Sequence, residues 1–314
     1  MILGTVTKGV GGLYTVRLDS EYDGKAYVNV RGRGSFRHEK LVLLTGDRVE
    51  LESLDGGEFF CKRVLERKNS LIRPPLANLD VIFAVIPCVK PMPDLHIVDK
   101  MLCIAEHNGI EPVILITKAD LDVEFAKSTY EIYKKCGYST FITSSESHDG
   151  IELVLDYIKQ ISTQGAPLCA FAGVSGAGKS TLMNAIFPNL DLQTGELSEK
   201  IERGKNTTRH TELFAFDEII GNGHKGYLAD TPGFSLLDFE RFDFFTLDEL
   251  FDTFREFAKS RGECKYTKCT HTKDEGCDII KRVNEGDIPK SRHESYLMLY
   301  EILKKKPNWK SNKK

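Results

Sequence analysis

The chain has 314 residues, and a typical domain size of about 150 residues predicts two domains or three small ones. Hydrophobic residues make up 41% of the sequence and charged residues 28%, a balance that excludes collagen-like, low-complexity and wholly disordered proteins. Neither an apolar run of about 18 residues nor a signal-peptide pattern is present, which predicts a cytoplasmic protein without a membrane partner. Because the net charge is −3, binding to nucleic acid would require local basic patches.

Residues 1–66 are predicted to form a small β-barrel. Short strands joined by Gly- and Asp-containing turns are indicated at residues 13–18, 25–30 and 48–54. A five-stranded OB-type barrel suits this length, and such barrels often bind nucleic acid. Residues 31–40 surround Phe36 with basic side chains, so this segment is either a solvated hairpin or a contact with RNA.

Residues 67–240 are predicted to form an α/β domain, entered through a charged, proline-containing linker at 66–80. Continuous apolar segments, as expected of strands buried on both faces, occur at residues 79–87 and 112–120. Further strands are indicated at 141–145 and 168–174. A helical pattern at 94–109 lies between the first two and ends at Gly109, a residue type common after helices. Strands that alternate with helices are typical of a parallel sheet.

Residues 173–181 read Gly-Val-Ser-Gly-Ala-Gly-Lys-Ser-Thr and contain the complete phosphate-loop motif G-x-x-x-x-G-K-[ST]. A predicted strand precedes the motif and a predicted helix follows it. Glycines let backbone N–H groups surround phosphate oxygens, and the helix N-terminus faces the same anion. We expect Lys179 to reach the β- and γ-phosphates and the Ser180 hydroxyl to bind Mg²⁺. The predicted nucleotide-binding residues of this loop are Gly173, Val174, Ser175, Gly176, Ala177, Gly178, Lys179, Ser180 and Thr181.

Two further segments are predicted to complete the Mg²⁺ and γ-phosphate site. Asp230 begins the sequence Asp-Thr-Pro-Gly at a predicted strand end, which suits a second Mg²⁺ contact, and the N–H of Gly233 would sense the γ-phosphate. The polar segment 202–212 predicts a loop that supplies a threonine to Mg²⁺. Thr207 and Thr208 are both candidates, and Thr208 is favoured. Taken alone, the two segments could also be an ordinary turn and a surface loop.

Residues 117–120 read Thr-Lys-Ala-Asp and are similar to the guanine-reading N-K-x-D motif of GTPases. The Asp120 carboxylate can accept hydrogen bonds from guanine N1–H and the 2-amino group, two donors that adenine lacks. The stem of Lys118 can lie along the base. Thr117 replaces the usual asparagine, and a hydroxyl forms fewer hydrogen bonds than an amide. The other predicted base-site residues are Ala119, Ser144 and Ser145.

The C-terminal region, residues 241–314, is predicted to be helical, with apolar spacing of three and four residues at 247–259 and 295–306. Three cysteines and one histidine in this region form the donor set of a structural Zn²⁺ site: Cys264, Cys269, His271 and Cys277. A disulfide is the poorer explanation because cytoplasmic thiols stay reduced. The lysine-rich end from residue 304 is expected to be solvated unless it meets a polyanion.

The order of the motifs is unusual, because the base-reading residues precede the phosphate loop, whereas in ordinary GTPases they follow it. A circular permutation preserves such a site, since a sheet can be re-joined without moving its strands. The barrel, the permuted motifs and the Cys/His cluster resemble the ribosome small-subunit-dependent GTPase A family (RsgA, also called YjeQ) over nearly the whole chain. The motifs TKAD, GVSGAGKST, RGKNTTRHTE and DTPGFS carry this resemblance.

The resemblance implies a GTPase that binds the 30S ribosomal subunit and its 16S rRNA and acts in late maturation of that subunit. It also implies one Zn²⁺ on the four named ligands, and we expect a monomer that uses GTP, GDP and Mg²⁺. Family members often place a histidine just before the switch threonines, where this chain has Asn206. Asn206, nearby His210 or the ribosome is therefore expected to position the attacking water. The alternatives are a nucleotide-gated RNA-binding module with incidental turnover and a P-loop ATPase or kinase, which Lys118 and Asp120 disfavour.

Overall fold

A computed structural model describes residues 1–31, 42–54, 58–72, 74–190, 192, 211–231 and 244–306. Within these residues no helix is both long enough and apolar enough to cross a membrane.

The N-terminal region is a closed five-stranded β-barrel, as predicted. Its strands are β1 (Ile2–Val10), β2 (Leu13–Tyr22), β3 (Lys25–Arg31), β4 (Arg48–Ser53) and β5 (Phe59–Val64). The barrel closes because β1 pairs with both β2 and β4, while β3 pairs in parallel with β5. Alternate residues point inward, so Val6, Val16 and Val49 are fully buried in the barrel core.

The segment predicted as a linker is instead partly ordered. Strands β6 (Ser70–Leu71) and β7 (Leu76–Ala77) form a short antiparallel ribbon. Leu71, Leu76 and Leu79 are buried in the same core as the following domain. The charged and proline residues suggested a linker, but these apolar side chains attach the segment to the protein interior.

A mixed sheet lies at the centre of the second region. Its strands are β8 (Val81–Pro87), β9 (Glu111–Thr117), β10 (Ser139–Ile142), β11 (Leu168–Ala172), β12 (Glu212–Ala215) and β13 (Tyr227–Asp230). The spatial order is β10-β9-β8-β11-β13-β12, and only β12 runs antiparallel to its neighbour β13. The phosphate-loop strand β11 is therefore central, although β8 to β10 precede it in the chain. This arrangement is the strand permutation that the motif order predicted.

Helices cover both faces of the sheet. They are α1 (Leu95–His107), α2 (Val123–Lys135), α3 (Ile151–Gln164), α4 (Lys179–Ile186) and the short α5 (Phe216–Ile219). Successive residues of β8 alternate between two cores: Ile82 packs with α1 and α2, whereas Phe83 packs with α3 and α4. The continuous apolar run of β8 follows from this burial on both faces. Helix α1 begins after Asp94, whose carboxylate accepts a hydrogen bond from the His96 N–H at 2.9 Å.

The barrel continues the central sheet. Strand β1 pairs antiparallel with β12, and Lys8 lies opposite Glu212 in this pairing. Nearby, the guanidinium of Arg17 forms a bidentate ion pair with Asp217, in which Nη1 lies 2.9 Å from Oδ1. The two regions therefore share backbone pairing and ion pairs.

The C-terminal region differs from its prediction in one element. The apolar spacing at 247–259 predicted an α-helix, but two 3₁₀ helices, Leu247–Thr253 and Arg255–Ser260, form there. Extended backbone at Phe254 separates them, with φ of −111° and ψ of 96°. A 3₁₀ helix has three residues per turn, so apolar residues three positions apart also align in it, as Leu247 and Leu250 do. The predicted helix at the end of the chain forms as α7 (Lys290–Lys305), after α6 (Asp278–Asn284).

One buried arginine joins the C-terminal region to the α/β domain. Arg292 of α7 is 0% exposed, and its Nη1 lies 2.6 Å from a carboxylate oxygen of Asp99 in α1. Its Nε lies 2.7 Å from Glu256, and its guanidinium carbon is 4.7 Å from the ring centre of Phe254. Because the charge is fully buried, both acids are needed to compensate its desolvation.

Candidate functional site

The phosphate loop connects the central strand β11 to helix α4. Gly176 and Gly178 adopt φ angles of 77° and 90°, a left-handed backbone that glycine adopts without steric cost. The Nζ of Lys179 donates hydrogen bonds to the carbonyl oxygens of Gly173 at 2.8 Å and Val174 at 2.9 Å. The lysine ammonium therefore lies across the loop in which phosphate groups would bind. Burial lowers the pKa of Lys179, and the negative charge of Asp230 opposes this shift.

The remaining residues of the loop occupy different depths. Ala177 is buried, Val174 and Ser180 are half-buried, and Ser175 and Thr181 are exposed. A side chain is excluded at Gly173, because a Cβ there would lie 2.6 Å from the carbonyl oxygen of Val85.

Asp230 lies at the carboxyl end of β13, beside the phosphate loop. Strands β11 and β13 are parallel neighbours with Ala170 opposite Ala229, so both end at the same edge of the sheet. The hydroxyl of Ser180 and the carboxylate of Asp230 are oxygen donors of the kind that Mg²⁺ prefers. The other predicted residues of this half of the site, Asn206, Thr207, Thr208, His210 and Gly233, lie outside the described residues.

The predicted base-reading residues follow β9. The Ser144 hydroxyl donates a hydrogen bond of 2.6 Å to Oδ1 of Asp120, and the Ala119 N–H donates to the Thr143 carbonyl at 3.2 Å. These bonds hold the carboxylate of Asp120 against the loop after β10. Ser145 is half-buried in the same loop.

The base-reading segment is also bonded directly to the phosphate loop. The Thr117 hydroxyl donates to the carbonyl of Ala177 at 2.8 Å. The Lys118 ammonium donates to the carbonyl of Gly176 at 3.0 Å and to that of Lys90, in the loop after β8, at 2.5 Å. Lys118 has a φ of 59°, a conformation that a lysine adopts only when its surroundings hold it there. Three loops from three neighbouring strands therefore meet at Lys118.

The four predicted metal ligands come together in the C-terminal region. The ligand atoms of Cys264, Cys269, His271 and Cys277 all lie within 4.8 Å of one another. His271 Nδ1 lies 3.6 Å from the sulfur of Cys264 and 3.5 Å from that of Cys277. A tetrahedral Zn²⁺ with Zn–S bonds of about 2.3 Å separates its sulfurs by about 3.8 Å, so the cluster has suitable dimensions.

Groups around the cluster orient it and affect its protonation. His293 Nε2 lies 2.8 Å from the His271 carbonyl oxygen, and the Tyr296 hydroxyl donates to the carbonyl of Thr270 at 3.0 Å. Burial raises the pKa of Cys269 to about 12 and lowers the pKa of His271. A bound cation would oppose the first shift by favouring the thiolate, while neutral imidazole is already the ligand form of histidine.

Several of these contacts could not be recognised in the sequence. The donor groups of Thr117 and Lys118 were part of a known motif, but the carbonyl oxygens of Lys90, Gly176 and Ala177 carry no signal, because every residue type has one. Ser144 was predicted as a base-site residue, but the hydrogen bond from its hydroxyl to Asp120 was not. The basic segment considered for RNA contact lies mostly outside the described residues, which end at Arg31 and resume at 42.

Comparisons with known proteins agree with this geometry. Residues 64–240 match the RsgA GTPase family and residues 3–59 match the RsgA N-terminal domain. The small ribosomal subunit biogenesis GTPase RsgA of Caldanaerobacter subterraneus is 36% identical over 306 residues, which are 97% of each chain. The protein of the same name from Bacillus subtilis is 37% identical, covering 98% of this chain and 99% of the relative.

Two solved structures share the whole architecture. YjeQ from Thermotoga maritima superposes with a TM-score of 0.78 at 32% identity, covering 97% of this chain and 99% of YjeQ. YloQ, described as a circularly permuted GTPase, gives a TM-score of 0.76 at 32% identity and covers 98% of both chains. With a matching family over more than half of its length and relatives that span it almost entirely, this chain belongs to the RsgA GTPase family.

Proposed function

We propose that this protein binds and hydrolyses GTP and acts in the biogenesis of the small ribosomal subunit. The observation that carries the proposal is the bonding of Thr117 and Lys118 to the phosphate loop, because it joins a guanine-reading carboxylate and a phosphate cradle in one site. The role in subunit biogenesis is supported by relatives that carry this name and align along nearly the entire chain.

The base is selected by Asp120 in this proposal. Its carboxylate accepts hydrogen bonds from guanine N1–H and the 2-amino group, while the hydroxyl of Ser144 holds the carboxylate in place. The aliphatic stem of Lys118 supports the base, and backbone N–H groups near Ser144 and Ser145 meet the guanine oxygen. Adenine offers neither donor to Asp120, so ATP would form neither of these charge-assisted hydrogen bonds.

The phosphates are bound by the backbone of the loop and by Lys179. On nucleotide binding, the ammonium exchanges the carbonyl oxygens of Gly173 and Val174 for phosphate oxygens. Ser180, Thr208 and Asp230 would hold Mg²⁺, which supplies positive charge opposite the β- and γ-phosphates. The N–H of Gly233 would sense the γ-phosphate.

The reaction is an in-line displacement at phosphorus. A water oxygen forms a bond to the γ-phosphorus while the bond to the β–γ bridging oxygen breaks, and GDP and inorganic phosphate leave. Lys179 stabilises the charge that accumulates on these oxygens. Asn206 or His210, or a group of the ribosome, orients the water, since Phe234 follows the Asp-Thr-Pro-Gly motif and has no polar group for this task.

The C-terminal cluster holds one structural Zn²⁺ in this proposal. Three thiolates and one imidazole complete a tetrahedral shell and leave no position for a reacting molecule. The Zn²⁺ contributes to folding of residues 241–314, while the barrel at 1–66 and the GTPase domain at 67–240 form the other two domains. We further propose that the protein is a cytoplasmic monomer that contacts 16S rRNA within the 30S subunit.

GTP hydrolysis measured with and without purified small subunits tests the proposal. We expect the wild-type chain to hydrolyse GTP but not ATP, and to do so faster when subunits are present. Lys179→Ala should lower the rate by about a hundredfold or more under both conditions, because it removes transition-state charge stabilisation. If subunits bind but leave the rate unchanged, the protein is instead an RNA-binding module whose turnover is incidental. Equal hydrolysis of GTP and ATP would contradict the assignment of Asp120.

A further inference from the structure

Three neighbouring strands place a row of charged residues beside the nucleotide site. In the β1–β12 pairing Lys8 lies opposite Glu212, and in the β12–β13 pairing Glu212 lies opposite Asp230. Directly opposed residues of antiparallel strands project to the same face, with Cβ atoms about 4.5–5.5 Å apart. Glu212 therefore lies between a barrel lysine and the aspartate assigned above to Mg²⁺.

On the barrel side of this row, Lys8 and Glu212 form an ion pair. The Nζ of Lys8 lies 2.7 Å from Oε2 of Glu212, and the two side chains are 41% and 40% exposed. The barrel also contacts the preceding residue, since the Thr45 hydroxyl donates to the carbonyl of Thr211 at 3.4 Å. Strand β1 thus holds the start of β12, the first strand after the segment that contains Thr208.

The charges along the row run positive, negative and negative, from Lys8 through Glu212 to Asp230. The negative charge of Asp230 also acts on Lys179 of the phosphate loop. Two neighbouring carboxylates repel each other, and a divalent cation bound at one of them relieves this repulsion. The negative charge of Glu212 would therefore favour Mg²⁺ at Asp230, and the positive charge of Lys8 would oppose it. Both effects persist at partial exposure, although solvent and salt weaken them.

We propose that Glu212 is a positioning residue of the Mg²⁺ site and acts through the negative charge that it places beside Asp230. Lys8 of the barrel partly neutralises this charge and so weakens its effect on Mg²⁺ binding. This inference rests on the proposed function, because it takes Asp230 as an Mg²⁺ contact. It gives the barrel a part in nucleotide binding within its own chain, through a single ion pair.

The proposal predicts that substitutions of the two partners of this ion pair shift the Mg²⁺ requirement for nucleotide binding in opposite directions. Glu212→Gln removes the negative charge, so more Mg²⁺ should be needed to saturate nucleotide binding. Lys8→Met leaves Glu212 uncompensated, so less Mg²⁺ should be needed. We expect shifts of about threefold to fivefold in each direction, the size of a screened interaction between partly exposed charges. A contact that only anchors the barrel would be broken equally by both substitutions and would shift the Mg²⁺ requirement in one direction.

The experiment titrates Mg²⁺ into the full-length protein with a fluorescent, non-hydrolysable GTP analogue and records the Mg²⁺ concentration at half-maximal binding. Asp217→Asn is the matched control, because it removes one acidic charge from another barrel contact, the pair with Arg17. It should leave the Mg²⁺ requirement unchanged. Thermal unfolding of each variant verifies that the barrel remains folded.

Opposite shifts for Glu212→Gln and Lys8→Met, with no shift for Asp217→Asn, support the inference. Shifts in the same direction, no shifts, or an equal effect of Asp217→Asn and Glu212→Gln overturn it while the GTPase assignment stands. A wild-type protein that binds the analogue without any dependence on Mg²⁺ overturns the assignment of Asp230, and this inference with it.

Discussion

The nucleotide site and the metal cluster are built in contrasting ways. The nucleotide site combines loops that are far apart in the chain, such as residues 117–120 and 173–180, and the order of the central strands brings them together. The metal cluster takes all its ligands from one stretch of 14 residues, 264–277, that contains little regular structure. A site assembled by a sheet is stable without its ligand and tolerates permutation, whereas a site assembled by a loop depends on the ion to fix the loop.

The largest effect should come from removing the metal. Cys269→Ala, or treatment with a strong chelator, removes a binding free energy that is on the order of 10 kcal/mol for structural Zn²⁺. We expect residues 264–277 to lose order and the thermal unfolding temperature to fall. Elemental analysis measures the loss of zinc, and calorimetry measures the fall in the unfolding temperature.

Cys61→Ala provides the control for this prediction, because Cys61 is a fully buried thiol in the barrel. That variant should keep one zinc per chain, and it loses the packing of one sulfur atom and its weak contact with the Arg63 carbonyl at 3.6 Å. Wild-type protein purified without chelators and free of zinc would contradict the assignment of the cluster.

A smaller, selective effect should follow from changing the base-reading carboxylate. Asp120→Asn removes the charged acceptor of two hydrogen bonds from guanine, and each such bond contributes about 1.5–3 kcal/mol. We expect GTP affinity to fall by roughly a hundredfold and xanthosine triphosphate, which has an oxygen in place of the 2-amino group, to bind better than GTP. Competition binding with both nucleotides measures the change, and an unaltered preference for GTP would exclude Asp120 from the base site.

The smallest effect is expected from a substitution of Thr117, which tests whether the sheet preassembles the nucleotide site. Thr117→Val keeps the shape of a buried side chain but leaves the Ala177 carbonyl without its donor, at a cost of about 1–2 kcal/mol. We expect GDP and GTP affinities to fall by a similar factor of about five to thirty, with little change in the rate at saturating GTP. Thr117→Ser retains the hydroxyl and should restore binding. Wild-type affinity in the valine variant would show that the two loops do not depend on this bond.

Much of this architecture could be predicted because its signals are local. The barrel strands follow from alternation between Gly- and Asp-containing turns, helix α1 from its spacing and from Gly109 at its end, and the metal cluster from four donors in one segment. The phosphate loop is defined by its glycines and by Lys179. In each case the residues that carry the signal are neighbours in the chain.

The contacts that escaped prediction join residues distant in the chain or involve backbone atoms. The Lys90 carbonyl is indistinguishable from any other in the sequence, and Glu212 resembles any acidic residue at a strand start until the register places it between Lys8 and Asp230. The ribbon at 70–77 was predicted as a linker because its prolines and charges outweighed a few leucines that proved to be buried. The boundaries of the three domains stay a prediction.

The buried Arg292 has a consequence for how this protein can change during evolution. Loss of the arginine alone would leave Asp99 and Glu256 buried without a counter-ion, and loss of either acid would leave part of the guanidinium charge uncompensated. Each single step costs about 3–5 kcal/mol, a large share of the stability of a typical domain. Replacement of all three residues by apolar ones of similar volume can be neutral or even stabilising. Relatives should therefore either retain all three residues or have exchanged all three, and chains that carry only one or two of them should be rare.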